Sequence, residues 1–319
     1  MSVPFPWQQT LWNNLVIAYE QDRLPSAILL SGVEGLGQSE LAHAFAEYVL
    51  TENNAAGKSA ALFASGNHPD FIHIKPEADS RTIKIDQVRQ LQVRLRDKSH
   101  AGAYRIAIIE PAETLNIAAS NALLKLVEEP GDKILLFFIS HHPKRLAATL
   151  RSRCQKITIR VEDTATVLEW LRTRLSTSQQ NAKQLLELAE GAPLKALQLS
   201  EPAQQDLYAE LLQDLVLLLD AKQTAMQLAE KYARHEFNIF LTINLHLLHQ
   251  MICLYHNAVS VKPAWTELLQ KWQTQLKPLK VFMLLDKIYA LRRAIALVPS
   301  LNQQLLLEDL FIGVSQYRE

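Results

Sequence analysis

An α/β fold is predicted by the amino-acid sequence: a doubly wound parallel sheet up to about residue 160, followed by a small helical lid and a larger all-helical domain. Short apolar or alternating runs at 27–30, 71–74, 105–109, 135–139 and 157–159 are separated by longer stretches of helical periodicity. A glycine-rich loop, from Gly32 to Ser39, lies between the first of these runs and an amphipathic helix, the place where a strand hands a phosphate group to a helix N-terminus. Beyond Glu162 no run reads as a strand.

Trp7, Trp12, Leu15 and Val16 fall at helical spacing in a helix that residues 22–25 bring to an end. Residues 27–30 are a buried strand. After the loop, Leu41, Ala44, Phe45, Tyr48 and Val49 mark one helix face, with Glu40, His43 and Glu47 on the other. Residues 51–67, rich in Ala, Asn, Gly and Ser and without an apolar period, read as an insertion or long loop. His68, Pro69 and Asp70 lead into the alternating run 71–74, a second strand. Asp86 is a candidate N-cap for a helix that carries Val88, Leu91 and Leu95 inward and Arg89, Arg94, Arg96 and Lys98 outward. The β-prone run 105–109 follows, then a helix face of Leu115, Ala119, Ala122, Leu123 and Leu126 stopped by Glu128, Glu129, Pro130 and Gly131. Residues 135–139 have the uninterrupted apolar character of a central parallel strand, and 157–159 make a short last strand.

These elements divide the chain into an α/β domain (1–161), a helical lid (162–201) and an all-helical domain (202–319), whose helices are expected at 203–219, 222–233, 236–257, 263–275, 279–298 and 302–316. With 319 residues, 48% of them apolar and 21% charged, the chain is long enough for a sizeable core and has a globular composition. Lys plus Arg (33) equals Asp plus Glu (33), so no global field draws it to nucleic acid; any such contact needs a local patch or partners. The N-terminal residues lack a signal-peptide pattern, and no unbroken apolar run, the one near 215–219 included, is long enough to span a bilayer, so a cytoplasmic location is expected. Cys154 and Cys253 form neither a metal-ligand spacing nor a disulfide framework.

Gly32, Gly35 and Gly37 allow the backbone to turn tightly with its N–H groups aimed inward. A working phosphate loop places a lysine ammonium immediately before Ser39; here that position is Gln38, which can donate a hydrogen bond but brings no charge. Hydrolysis also needs an acidic pair at the end of the third strand, one carboxylate for magnesium and the next to polarise water. Glu110 can serve the first purpose; Pro111 cannot serve the second. Losing one charge-stabilising group typically costs on the order of 10²–10³ in rate, so the two losses together predict a non-hydrolysing chain with weak or absent nucleotide binding.

Three further motifs lie together in the α/β part: Asn121-Ala-Leu-Leu-Lys125, Glu128-Glu-Pro130, and Thr149-Leu-Arg-Ser152-Arg153-Cys154. With the broken loop, His68-Pro-Asp70 and a helical third domain, they resemble the clamp-loader AAA+ subunits, and the resemblance spans essentially the whole chain. It implies an AAA+ sheet domain, lid and oligomerising collar in a pentameric loader of replicative DNA polymerase. Its partners there would be the gamma or tau motor subunits, the delta subunit, the sliding clamp and primed DNA. It implies that Ser152, Arg153 and Cys154 form an interface motif, Arg153 reaching the γ-phosphate of ATP on an adjacent motor subunit; the competing possibility is that Arg153 pairs with a carboxylate of its own chain. The face of Arg89, Arg94, Arg96 and Lys98 either is solvated or lies near DNA phosphates in the assembly. Many relatives hold zinc in the insertion, but 51–67 contains no cysteine, so no metal is expected and His68 is expected to be a turn residue. His141 and His142 follow the fourth strand where active relatives sense the γ-phosphate, and Lys195 lies near their sensing arginine. A hydrolysing motor of the gamma or tau kind, and an AAA+-fold scaffold outside any loader, are the alternatives.

Overall fold

The computed structural model describes residues 4–51, 58–77, 80–96, 104–175, 179–235, 237–256, 263–298 and 301–316. The chain divides into two compact units, one of Met1–Leu186 and Gly191–Lys195, the other of Glu187–Glu190 and Ala196–Glu319.

The first unit is built on a five-stranded sheet. Its strands are β1 (Ala27–Ser31), β2 (Phe71–Ile74), β3 (Arg105–Ile109), β4 (Ile134–Ser140) and β5 (Gln155–Thr158), in the order β2-β3-β4-β1-β5 with every pair parallel. Alternate side chains of the central strands enter two separate cores, as a parallel sheet covered on both faces requires. Leu29, Ala107, Ile109, Leu136 and Phe138 pack under α4 (Ile85–Arg96) and α5 (Ile117–Glu128), meeting Val88, Leu91, Leu95 and Leu123. Ile28, Leu30, Ile106, Ile108, Leu135 and Phe137 pack on the other face under α1 (Gln9–Glu20) and α2 (Gln38–Thr51), meeting Leu15, Phe45 and Val49.

Four local expectations are corrected. Part of the segment expected as a loop is helical: α3 spans Lys58–Ala64, where Phe63 packs on the core and its ring lies 4.7 Å from that of Phe71. Thr51 belongs to the end of α2, 65–67 follow α3 as a turn, and 52–57 lie outside the described residues. Asp86 is not the cap of α4 but sits inside its first turn, because Ile83 forms a bridge with Leu115 and the helix begins directly after Lys84, whose N–H is accepted by Gln87 Oε1 at 3.0 Å. Leu115 precedes α5, whose cap is Asn116: Ala119 N–H donates to its Oδ1 at 2.7 Å. The last strand starts at Gln155 rather than 157, held in place by pairing with β1 although its side chains are mostly exposed.

After a short α6 (Ala148–Arg151), the first unit continues through α7 (Thr164–Leu175) and most of α8 (Gln179–Leu188) and includes the start of α9 (Pro193–Leu199). The helical unit comprises α10 (Pro202–Leu219), α11 (Ala225–Tyr232), α12 (Phe237–Tyr255), α13 (Pro263–Gln275), α14 (Pro278–Leu297) and α15 (Gln303–Gln316), close to the expected six spans. By length and composition α12 is apolar enough to cross a membrane, with mean hydropathy 1.4, yet 61% of that stretch is buried, as in the core helix of a packed bundle. Counting unbroken apolar runs missed it because Asn244, His246 and His249 interrupt the run. Inside this unit buried Asp214 accepts from Lys231 Nζ at 2.5 Å and Tyr232 Oη at 2.7 Å, joining α10 to α11.

Candidate functional site

β1 ends at Ser31 and α2 begins at Gln38, so the glycine loop occupies the sheet's carboxyl edge, where open α/β sheets bind ligands. The loop's carbonyls are met by donors of its own chain. Gln38, only 2% exposed, turns its side-chain amide back onto the loop, and Nε2 donates to Val33 O at 2.9 Å. Gln8 Nε2 donates to Leu36 O at 2.8 Å and Gly37 O at 2.7 Å, while Trp7 Nε1 donates to Leu36 O at 2.9 Å. Phe5 stacks on Trp7, and both meet Trp170 of α7 edge-on. The contacts explain two of the glycines. A Cβ on Gly37 (φ 83°) would stand 2.7 Å from Gln8 Nε2 and 2.8 Å from the Phe5 ring; on Gly35 (φ 90°) it would stand 2.9 Å from Lys195 N and Cβ. Leu194 N–H donates to Gly35 O at 3.0 Å, fastening the start of α9 to the loop, so Lys195 meets the loop through its backbone and Cβ.

The second expected position, at the end of β3, is also occupied from within. Ser39 Oγ donates to Glu110 Oε2 at 2.8 Å, His73 Nε2 lies 3.0 Å from the same oxygen, and Lys75 Nζ 3.6 Å. Burial of the Glu110 carboxyl opposes its ionisation, but the His73 and Ser39 hydrogen bonds and the charge of Lys75 outweigh burial and hold it down to about 2. His43 packs edge-on against the His73 ring at 4.7 Å and is lowered by burial and by that neighbour. Pro111 offers only its carbonyl, which accepts from Thr114 Oγ1 at 2.7 Å. His73 and Lys75 were not singled out from the sequence. The alternation of 71–74 puts His73 on the face shared with Phe71, but only the adjacency of β2 and β3 brings it to Glu110.

His141 and His142 follow β4 and meet Glu113 through their backbones: both N–H groups donate to Glu113 Oε1 at 3.1 Å. Glu113 thereby ties the end of β4 to the turn after β3. His68 is more than a turn residue. Asp70 N–H donates to its Nδ1, which leaves Nε2 as the donor to Ser59 Oγ at 2.8 Å, and Ser59 donates in turn to Leu50 O at 2.8 Å. This buried chain pins α3 to the end of α2; with the serine hydroxyl hydrogen committed to a carbonyl, it is not an activated nucleophile. Among the described residues no group of three or more His, Cys, Asp or Glu side chains is placed to hold a metal ion.

Arg153 stands at the other end of the sheet. In the β1–β5 register Gln155 lies beside Ile28 and Thr158 beside Ser31, and Arg153 sits in the turn two residues before β5. The start of β5 lies four residues before Gly32 along β1, about 13 Å at ~3.3 Å per residue, so Arg153 is at the opposite end of the sheet from its own loop. Its side chain is 39% exposed and pairs with Glu128 of α5, Nε to Oε1 at 2.5 Å. Ser152 Oγ donates to Thr149 O at 3.0 Å, and the buried Cys154 thiol, pushed up to about 11 by burial, lies 3.3 Å from Leu150 O, so the flanking residues fix the turn that carries Arg153. On α4, Arg89 and Arg94 are exposed, with Arg89 Nη1 3.4 Å from Asp86 Oδ1. The Arg96 side chain and Lys98 lie outside the described residues.

A family described as DNA polymerase III, delta subunit, matches residues 7–163. The DNA polymerase III subunit delta' of Pseudomonas aeruginosa is 31% identical over 97% of this chain and 96% of its own length. The protein of the same name from Escherichia coli K12 is 28% identical over 98% and 96%. Among solved structures, a DNA polymerase III gamma subunit-related protein of Thermotoga maritima superposes with TM-score 0.50 at 18% identity, covering 98% of this chain and 100% of that one, which is a likeness of fold.

Proposed function

Since the chain belongs to the family of DNA polymerase III subunit delta', we propose that, as the non-hydrolysing subunit of the replicative clamp loader, it lends Arg153 to an ATP site on a neighbouring subunit. Its partners on this reading are the gamma or tau motor subunits and delta, acting in the cytoplasm with the sliding clamp on primed DNA, and the helical unit from about residue 203 joins the collar. The observation that supports the reading best is the separation of the two sites along the sheet. The loop's carbonyls at Val33, Gly35, Leu36 and Gly37 accept from Gln38, Leu194, Gln8 and Trp7 of the same chain, while Arg153 is carried by the turn before β5, at the opposite end of the same sheet. A guanidinium suits this task because its charge is permanent and its fork of donors fits phosphate oxygens.

An arginine supplied in trans is worth ~10³–10⁵ in rate at a single site. A loader reconstituted with Arg153→Ala in this chain is therefore expected to assemble normally, by size-exclusion chromatography, and to lose the share of DNA-stimulated ATP turnover carried by the adjoining site. Unchanged turnover would refute the assignment. The same reading gives the chain no nucleotide or metal of its own; it makes the Arg89 and Arg94 face a contact to DNA phosphates, so charge reversal there should flatten the salt dependence of DNA binding by the assembled loader.

A further inference from the structure

Arg153 is held before any neighbour arrives. Its Nε donates to Glu128 Oε1 at 2.5 Å and its Nη1 to Thr149 O at 2.9 Å, so two points of the guanidinium plane are fixed. Among the described residues Nη2 has no partner. Glu128 is the last residue of α5, the end of a helix where the macrodipole disfavours a carboxylate, and the Arg153 cation offsets that. With its members 39% and 47% exposed, such a pair contributes little to stability, so its consequence lies in geometry rather than in the fold. A long arginine side chain carries considerable rotamer freedom, and a group whose orientation is already set loses less of it on meeting a phosphate.

We propose that Glu128 is a positioning residue: it fixes the Arg153 guanidinium by Nε so that Nη2 faces outward, ready for the terminal phosphate of a nucleoside triphosphate bound on the adjoining subunit. This rests on the assignment of Arg153 as a residue acting in trans. The Nε contact needs an acceptor oxygen at the length of a glutamate side chain but not its charge, so Glu128→Gln keeps the geometry and Glu128→Ala removes it.

The test uses the reconstituted loader carrying, in this chain, Glu128→Ala, Glu128→Gln, Arg153→Ala or the Glu128→Ala/Arg153→Ala pair, with DNA-stimulated ATP turnover resolved into kcat and KM. Glu128→Ala is expected to lower kcat about 3- to 30-fold at the adjoining site, by the loss of preorganisation, with KM for ATP unchanged. Glu128→Gln should restore most of that loss, and the double variant should match Arg153→Ala alone, since Glu128 acts only through the arginine. If Arg153→Ala lowers turnover but Glu128→Ala does not, or if the two losses multiply in the double variant, the positioning role is overturned. It is equally overturned if Glu128→Ala raises turnover, which would make the carboxylate a competitor for the guanidinium. If Arg153→Ala itself has no effect, the trans assignment fails first, and that outcome is distinct from the others.

Discussion

Glu110 makes the closed acidic site measurable. Its folded-state titration lies at about 2 against an ordinary value of 4.5, and its side chain is only 14% exposed, so the difference is not dispersed into solvent. For a carboxylate with a depressed value, the ionised form is favoured by folding; the stability it contributes is fully present above about pH 4.5 and is lost as pH falls toward 2. At 1.36 kcal/mol per unit, the contribution at neutral pH is on the order of 3 kcal/mol. Glu110→Gln retains an acceptor for Ser39 Oγ and His73 but cannot titrate. The wild-type sheet unit should therefore show a steeper fall in stability between pH 4.5 and 2 than the variant, by up to about 1.4 kcal/mol per pH unit, the slope of one proton. Amide hydrogen exchange of peptides covering β1 and β3, corrected for intrinsic rates, reads this locally without requiring the two units to unfold together. Equal slopes in the two proteins would show that Glu110 is not ionised preferentially in the folded state, and the hydrogen-bonded cluster with Ser39, His73 and Lys75 would have to be abandoned.

Two other perturbations test the packing that surrounds these sites. Gly37→Ala places a methyl group 2.7 Å from Gln8 Nε2 at a positive φ, so it should cost about 1–3 kcal/mol and increase hydrogen exchange in the segment around Gln8 and Trp7; a thermal midpoint equal to wild type would contradict the close approach. Asp214→Ala leaves Lys231, among the described residues, with Glu210, 2.7 Å away, as its one carboxylate and deprives buried Tyr232 Oη of its acceptor, so the helical unit should lose about 3 kcal/mol in urea denaturation while Asp214→Asn loses less.

Legibility in the sequence follows burial. Strands β1, β3 and β4 are covered on both faces and so appear as unbroken apolar runs, whereas β5 reads Gln-Lys-Ile-Thr, mostly exposed, and its start is set by pairing with β1. Helix α3 escaped because small residues carry no period, and only Phe63 shows which side is inward. Within the site, the two departures expected to disarm it, Gln38 and Pro111, are visible because each is a single residue at a position defined by spacing. The groups that fill the site are not. His73 reaches Glu110 only through strand order, and Glu128 reaches Arg153 only through the packing of α5 on α6.

The missed residues share a physical origin. Buried backbone carbonyls must find donors, and one left unsatisfied costs about 1–3 kcal/mol. In the glycine loop the carbonyls of Val33, Leu36 and Gly37 each receive a side-chain donor: Gln38 for the first, Gln8 and Trp7 for the others. The donors that meet the Leu36 and Gly37 carbonyls thus come from positions some thirty residues earlier in the chain. Restoring only the charge, by Gln38→Lys, would leave Gln8, Trp7, the Ser39–Glu110 bond and Pro111 in place. A chain that departs from a working site at this many points is expected not to return to hydrolysis through one residue; on the proposed reading the group that acts on ATP is Arg153, at the opposite end of the sheet.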